Sequence, residues 1–294
     1  MNYALDALWW KLTHPDIRAL ASILTAPPLW HTDAELPVRT LLGETGFRHL
    51  LTLDRNPVPL ETHLAAEAPF GHRLGLYAES LLAFWFAHAP HSRLHARNLA
   101  VYDAQHQTLG AADFIVSLNN IPYHIELTCK YYGSTTGTPD TLRGSNPADT
   151  LAAKAAKLQN QIALLNTSDG LRALQPLNLP RPPQPATIVR GTAFFSDGHP
   201  LPAAPLNPYG WHGLYLQNWT DYTPPAPAVR FYTLPRTAYL APARIQAADT
   251  LPPEALHDIS DGLTAVLELR PDGFWHEIQR IMKATQNTHN IFYI

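Results

Sequence analysis

The order of secondary-structure signals between residues 74 and 195 constrains the fold more than any other feature of this chain. An apolar helix is followed by three strands, a second helix and a fourth strand, and Asn119-Asn120 is a hairpin turn signal between the second and third strands. This order predicts an α/β (α+β) fold in which helices flank a mixed β-sheet. The predicted elements span residues 74–89, 97–103, 110–118, 122–131, 147–166 and 186–195, with Asn146 and Pro147 expected to start the second helix.

The segments on either side of residues 73–195 differ in character. Residues 1–72 predict an N-terminal helical segment packed on the core, and residues 196–294 predict a proline- and aromatic-rich C-terminal extension of the same globular unit. The helices expected there span 5–11, 15–25 and 274–284, and the strands span 213–219, 229–234, 237–241, 263–269 and 290–294.

Composition excludes several classes of protein. The chain has 294 residues, 46% of them hydrophobic and 15% charged, which indicates a folded globular protein. A net charge of -3 argues against binding nucleic acid by bulk charge alone, but it allows a local basic site. The single cysteine, Cys129, leaves no partner for an internal disulfide. With no apolar run of membrane-spanning length and no signal peptide, we expect a cytoplasmic protein that does not contact membranes.

Glu79 is the first candidate functional residue. It is the only formally charged residue between Arg73 and Arg93, in a helix that is apolar on almost every side. Such a helix is usually buried, and a buried carboxylate needs a cationic partner, a metal or a raised pKa. A structural ion pair, for example with Arg73, is the simpler interpretation.

Asp113 and Glu126 are the only formally charged residues from Ala104 to Cys129. Alternation places Glu126 and Lys130 on one face of their strand, and a hairpin brings Asp113 beside Glu126. Two carboxylates that meet on a sheet repel each other unless a proton or cation intervenes, and oxygen-only ligands favour a hard cation such as Mg²⁺. The alternative is a solvated hairpin face with ordinary cross-strand pairs.

The lysines are concentrated near these carboxylates. The chain has five lysines, and three of them, Lys130, Lys154 and Lys157, fall between 130 and 157. Lys154, Lys157 and Gln161 form a stripe along the helix of 147–166. This concentration favours an anion such as phosphate, whereas an exposed helix face is the simpler interpretation, above all for Lys157.

A histidine group at positions 88, 91 and 95 resembles a metal-ligand spacing, but it straddles a helix end and has no matching carboxylate. We therefore expect no metal there.

The helix with Glu79, the strand with Asp113, the strand with Glu126 and Lys130 and the helix with Gln161 together resemble the core of the PD-(D/E)xK nuclease superfamily. That resemblance covers residues 74–195. Most of the chain also resembles one bacterial family, the domain of unknown function 1853 family. The matching segments are residues 73–79, 109–114, 124–132, 149–162, 206–208 and 271–275.

The superfamily resemblance implies a Mg²⁺- or Mn²⁺-dependent nuclease that hydrolyses phosphodiester bonds, with DNA as the expected nucleic-acid partner. Asp113 and Glu126 would hold the metal, and Glu79 would ligate it through water or support a second ion. A lysine would orient the attacking water and offset charge in the transition state, and Gln161 would position water or substrate. Lys154 and Lys157 would bind substrate.

One departure from the superfamily pattern is informative. The usual signature has a lysine two residues after the acid, but Thr128 stands there and Lys130 comes four residues after Glu126. Four strand residues span ~13 Å, so Lys130 can serve only across a bulge or twist, or by gripping a more distant phosphate. Lys154 is the expected substitute. The alternative function is a catalytically inactive nuclease-fold protein that binds nucleic acid or a protein partner.

Overall fold

The structure is a computed structural model and describes residues 11–196 and 204–284. Helices α1 to α7 span Pro15–Thr25, Val38–Leu42, Gly46–Arg55, Val58–Glu67, Leu74–His88, Leu151–Ala163 and Ser168–Leu174. Strands β1 to β9 span Ser92–Tyr102, Thr108–Leu118, Ile121–Ser134, Gln184–Phe195, Trp211–Leu216, Arg230–Thr233, Arg244–Ile245, Gly262–Leu269 and Trp275–Lys283.

Within the described residues the strands form one mixed nine-stranded sheet. Its order is β1-β2-β3-β4-β5-β9-β8-β6, and β7 pairs with β9 beside this path. Pairing is antiparallel from β1 to β3, parallel from β3 through β4 and β5 to β9, and antiparallel again at β8 and β6. The predicted α/β fold, a mixed sheet flanked by helices, is confirmed.

Helices cover both faces of the sheet. On one face α1, α3 and α5 pack with Phe114, Ile125 and Ile188 in the largest apolar cluster. On the other face α6 buries Leu151 and Leu158 against Val189, with the rest of that cluster supplied by neighbouring strands and loops. Strand β4, which contains the predicted strand of 186–195, pairs in parallel with β3, and α6 connects the two strands across this face.

Several predicted elements differ from the structure in their boundaries or in type; the first strand, for example, begins at Ser92 rather than at residue 97. Helix α6 begins at Leu151, and its cap is Thr150, whose hydroxyl accepts a hydrogen bond from the Ala153 N–H at 3.2 Å. Asn146 instead accepts a bond from the Ala148 N–H at 3.0 Å, which makes a local turn rather than a helix start. The segment expected to be a strand at 237–241 is mostly a 3₁₀ turn, Arg236–Tyr239.

The amphipathic helix predicted over 274–284 is also wrong, because this segment is strand β9. Ile278 is an extra residue there: Val266 pairs with Gln279, and Leu267 pairs with Glu277. This bulge breaks the period of two and leaves apolar residues at helix-like spacings. The predicted elements at 5–11 and 290–294 lie largely or wholly outside the described residues.

No helix in the described parts of the chain is both long enough and apolar enough to cross a bilayer.

Candidate functional site

The site begins where the pairing of β2 with β3 ends, after Phe114 and Ile125. Beyond this pair, hydrogen bonds from backbone N–H groups to side-chain carboxylates connect the two strands in place of backbone–backbone bonds. Glu126 Oε1 accepts a hydrogen bond from the Asp113 N–H at 3.2 Å, and Asp113 Oδ2 accepts one from the Leu127 N–H at 2.9 Å. Each carboxylate is therefore held by the backbone of the opposite strand, and the two acids occupy the same point of the sheet.

This arrangement strongly raises the pKa of Asp113. Burial and the neighbouring charge of Glu126 raise its pKa to about 7, with a smaller contribution from Glu79. The hydrogen bond from Leu127 and the charge of Lys154 act in the opposite direction. Near neutral pH, Asp113 is thus partly protonated, because burial and the adjacent Glu126 charge both oppose its ionisation.

Glu126 is the most enclosed member of the site. It and His124 are each about 1% exposed, and His124 Nε2 lies 2.8 Å from Glu126 Oε1. Gln161 of α6 donates to Glu126 Oε2 at 3.0 Å. His124 stands two residues before Glu126 on the same face of β3, and the sequence analysis did not identify it as part of the site.

The hydrogen-bond partners of the two acids show where a cation could be held. Glu126 Oε1 takes two partners and Oε2 takes one, which leaves Oε2 with a free lone pair. Asp113 Oδ1 has no partner among the described residues. In residues 11–196 and 204–284, no group of three or more His, Cys, Asp or Glu side chains is arranged as a metal-binding cluster. The available donor set is thus the pair of carboxylates.

Glu79 reaches the edge of this site from α5. Its carboxylate lies 4.0 Å from the Arg97 guanidinium, which donates to Glu67 at 2.6 and 2.8 Å. Burial, followed by smaller contributions from the Glu126 and Glu67 charges, raises the pKa of Glu79 against the opposing effects of Arg97 and Asn98. The ion-pair partner is therefore Arg97 of β1, and the suggested pairing with Arg73 is wrong.

Asn98 is a member of the site that sequence reasoning missed. In β1 its neighbours Arg97 and Leu99 pair with Phe114 and Ala112, so Asn98 stands opposite Asp113. Its backbone is left-handed, with φ at 53°, a conformation that asparagine tolerates better than most residues. Its side chain lies near Glu79 and acts to lower the pKa of that carboxyl group. An asparagine inside a predicted strand was the only available signal.

Lys130 does not contact the carboxylate pair. Its ammonium group donates to Asp149 Oδ2 at 2.5 Å, and Tyr132 donates to the other oxygen of Asp149 at 3.0 Å. The pairing of β3 with β4 is continuous from Tyr123 to Ser134, with no bulge that would bring Lys130 closer to Glu126. The sequence analysis expected Lys130 in the site but did not identify Asp149, the residue to which Lys130 is bonded.

Lys154, in the first turn of α6, is the lysine that lies near Asp113 and Glu126. It is half-buried, its ammonium group donates to Gln161 Oε1 at 3.5 Å, and the charges of Asp113 and Glu126 act to raise its pKa. Burial and the nearby Lys130 and Lys157 outweigh those two acids and lower the pKa. An anion bound beside Lys154 would therefore stabilise its charged form.

Two expected positions contribute differently. Lys157 is exposed and makes no hydrogen bond or ion pair within the described part of the chain. Thr128, which stands where the signature lysine would be, is 3% exposed, and its hydroxyl has no partner among the described residues.

The three histidines at positions 88, 91 and 95 have separate contacts. His88 contacts the Phe84 carbonyl, His91 contacts the Leu41 carbonyl, and His95 contacts Ser117.

Comparison with known proteins identifies a family but no characterised relative. No curated protein and no solved structure matches the chain. A family model described as a domain of unknown function, DUF1853, matches residues 18–282. The match spans most of the sequence, so this chain belongs to the DUF1853 family.

Proposed function

We propose that this protein is a Mg²⁺-dependent nuclease of the PD-(D/E)xK superfamily that hydrolyses phosphodiester bonds of nucleic acid, with DNA as the preferred substrate, in the cytoplasm. The observation that carries the proposal is the pair of hydrogen bonds that ties each acid to the opposite strand: the Asp113 N–H donates to Glu126 Oε1, and the Leu127 N–H donates to Asp113 Oδ2. It holds two acids together despite their mutual repulsion, which a cation would relieve. The element order α5-β1-β2-β3-α6-β4 supports the superfamily assignment.

Asp113 Oδ1 and Glu126 Oε2 would hold the ion, since both have free lone pairs. When bound, Mg²⁺ lowers the pKa of a water molecule and stabilises phosphate oxygens. Glu79, at the edge of the site, would accept hydrogen bonds from metal-bound water. Mn²⁺ has the same ligand preference and could substitute.

Lys154 and Gln161 would act on the substrate side. The ammonium group of Lys154 lies close enough to both acids for their charges to act on it, so it can offset negative charge that develops on a phosphate bound there. Gln161 bridges Lys154 and Glu126 and can orient a water molecule or a phosphate oxygen. Exposed Lys157 would contact the nucleic-acid backbone farther from the reaction.

Cleavage of labelled DNA and RNA, with Mg²⁺ and with EDTA, tests the proposal. We expect Mg²⁺-dependent cleavage that Asp113→Asn and Glu126→Gln each reduce by at least about 100-fold. Glu44→Gln is the matched control, because Glu44 is an exposed carboxylate with no contact to the site, and this variant should cleave normally. Cleavage that survives EDTA and both site substitutions would overturn the assignment.

A second candidate function rests on a specific observation. Lys130 is tied to Asp149, and a threonine occupies the place of the signature lysine, as expected of a nuclease fold that has lost hydrolysis. Such a protein would bind nucleic acid or a protein partner without cleavage. Binding of labelled DNA without cleavage at any Mg²⁺ or Mn²⁺ concentration would favour this alternative.

A further inference from the structure

A cavity of about 410 Å³ lies away from the carboxylate site. It forms where the β2–β3 turn, Asn119-Asn120, meets the start of β1 and the segment before β4. Its volume falls in the range of small-molecule sites. It is separate from the candidate active site, because Ser117 in its wall is four residues from Asp113, ~13 Å along β2, and buried Ile115 lies between them in the strand.

Three polar side chains converge on one wall of this hairpin cavity. Arg93 of β1 pairs directly with Ser117 of β2, so their side chains lie on the same face of the sheet. His95 Nε2 lies 2.8 Å from the Ser117 hydroxyl oxygen. A guanidinium, an imidazole and a hydroxyl group thus border the same space.

The charge of this wall is not balanced. None of the residues lining the cavity, all within the described part of the chain, is acidic. The side chains of Arg93, Asn119 and Asn120 make no hydrogen bond or ion pair with any described residue, so their donors are available. Burial, followed by the charge of Arg93, lowers the pKa of His95. An anion bound on this wall would meet the Arg93 charge with no competing carboxylate among the lining residues.

The shape of the cavity limits the type of anion. A single phosphate group would occupy only a small part of its volume, which leaves room for an organic portion of the ligand. Pro90 and Pro180 provide apolar surfaces on which a ring can rest, and the amides of Asn119 and Asn120 can donate to and accept from its polar edge. Arg93 matches phosphate because its planar fork can bond two oxygens at once.

From these observations we infer that the hairpin cavity binds a phosphomonoester of about nucleotide size, with the phosphate on Arg93, His95 and Ser117. This site is independent of the nuclease proposal. A free nucleotide and a phosphorylated nucleic-acid end share this chemistry, and the experiment separates the two sources.

Isothermal titration calorimetry of the full chain in EDTA provides the test, with adenosine 5′-monophosphate, adenosine and a short oligonucleotide with or without a 5′-phosphate as probes. We expect the monophosphate to bind at least about 10-fold more tightly than adenosine, because charge-assisted hydrogen bonds to phosphate are strong. Arg93→Gln should weaken binding at least about 10-fold. Arg48→Gln, at an exposed arginine elsewhere, should leave it unchanged.

The outcomes distinguish support from failure. Tighter binding of the phosphorylated oligonucleotide than of the mononucleotide, lost in Arg93→Gln, identifies a nucleic-acid end as the ligand, and the reverse order identifies a free nucleotide. Equal binding of adenosine and its monophosphate would overturn the inference, as would no binding of any phosphorylated probe. Binding that is lost in Lys154→Gln but kept in Arg93→Gln would also overturn it, because the phosphate would then lie in the carboxylate site.

Discussion

Asp113 is the residue whose ionisation best separates a metal site from a structural ion pair. Its pKa is raised from 3.8 to about 7, so the native state binds a proton more tightly than the unfolded state does. The wild type should therefore lose stability as the pH rises from about 4 to about 7, and this loss is complete above that window. The loss comes from burial of the charge and from repulsion between two acids that the fold holds together.

Asp113→Asn should remove that pH dependence. The amide oxygen can still accept the Leu127 N–H, so the variant keeps its backbone contact. At pH 8 and in EDTA we expect its melting temperature to equal or exceed that of the wild type, with the difference vanishing near pH 4. Excess Mg²⁺ should raise the melting temperature of the wild type alone.

The contrary result is equally clear. Removing one partner of a buried structural ion pair typically costs ~3–5 kcal/mol. A sharp loss of stability in Asp113→Asn, combined with no response of the wild type to Mg²⁺, would mean that Asp113 has a structural role. Melting curves recorded by circular dichroism across the pH range are sufficient.

The two lysines closest to the acids should differ in their effect on cleavage. Lys154 interacts with Asp113 and Glu126, whereas Lys130 is bonded to Asp149. We expect Lys154→Met to reduce the single-turnover cleavage rate by roughly 100-fold, comparable to the loss of one transition-state donor. Lys130→Met should reduce it by less than about 10-fold. The opposite ranking would show that Lys130 leaves Asp149 when substrate binds.

At the scale of elements, local patterns identified α5, the β2–β3 hairpin and the carboxylates that it brings together. They could not identify Asn98 or Asp149, since the contacts of these residues depend on the pairing of β1 with β2 and on a loop that returns to β3. The helix expected over 274–284 failed for a related reason. One inserted residue, Ile278, alters the apparent period of a strand, and local spacing does not reveal its partner strands.

Gly191 limits how β3 and β4 can approach each other. It pairs with Lys130, has φ at 139°, and a Cβ placed on it would lie 1.6 Å from the Lys130 carbonyl oxygen. Gly191→Ala must therefore push apart the two strands beneath α6. We expect a loss of at least ~3 kcal/mol in urea unfolding, typical of severe backbone conflicts.

Gly75→Ala is the matched control for this substitution. Gly75 lies in α5, and beyond its own helix nothing lies within 4 Å of the position that an alanine Cβ would take. Alanine should therefore be neutral there or stabilise the helix by ~0.5–1 kcal/mol. If both variants unfolded at the same urea concentration, the close contact between β3 and β4 would not exist in solution.

At the scale of the whole molecule, one sheet joins the 73–195 segment to the segment that follows residue 196. Strand β4 pairs with β3 on one side and with β5 on the other, and β5 in turn pairs with β9. The largest apolar cluster likewise joins Leu20 of the N-terminal helices to Leu263 of β8. The 73–195 segment and the C-terminal segment therefore share a core across this boundary.

The full chain should therefore unfold in one cooperative transition. A fragment that ends at residue 195 would expose the edge of β4, including Phe194, where β5 normally pairs. An exposed apolar strand edge promotes aggregation. We expect differential scanning calorimetry of the full chain to give a single peak, with calorimetric and van't Hoff enthalpies in agreement. The fragment should be insoluble or oligomeric. Two separate peaks, or a monomeric fragment that melts like the full chain, would show instead that the segment from residue 196 onward is an independent unit attached to a self-sufficient core.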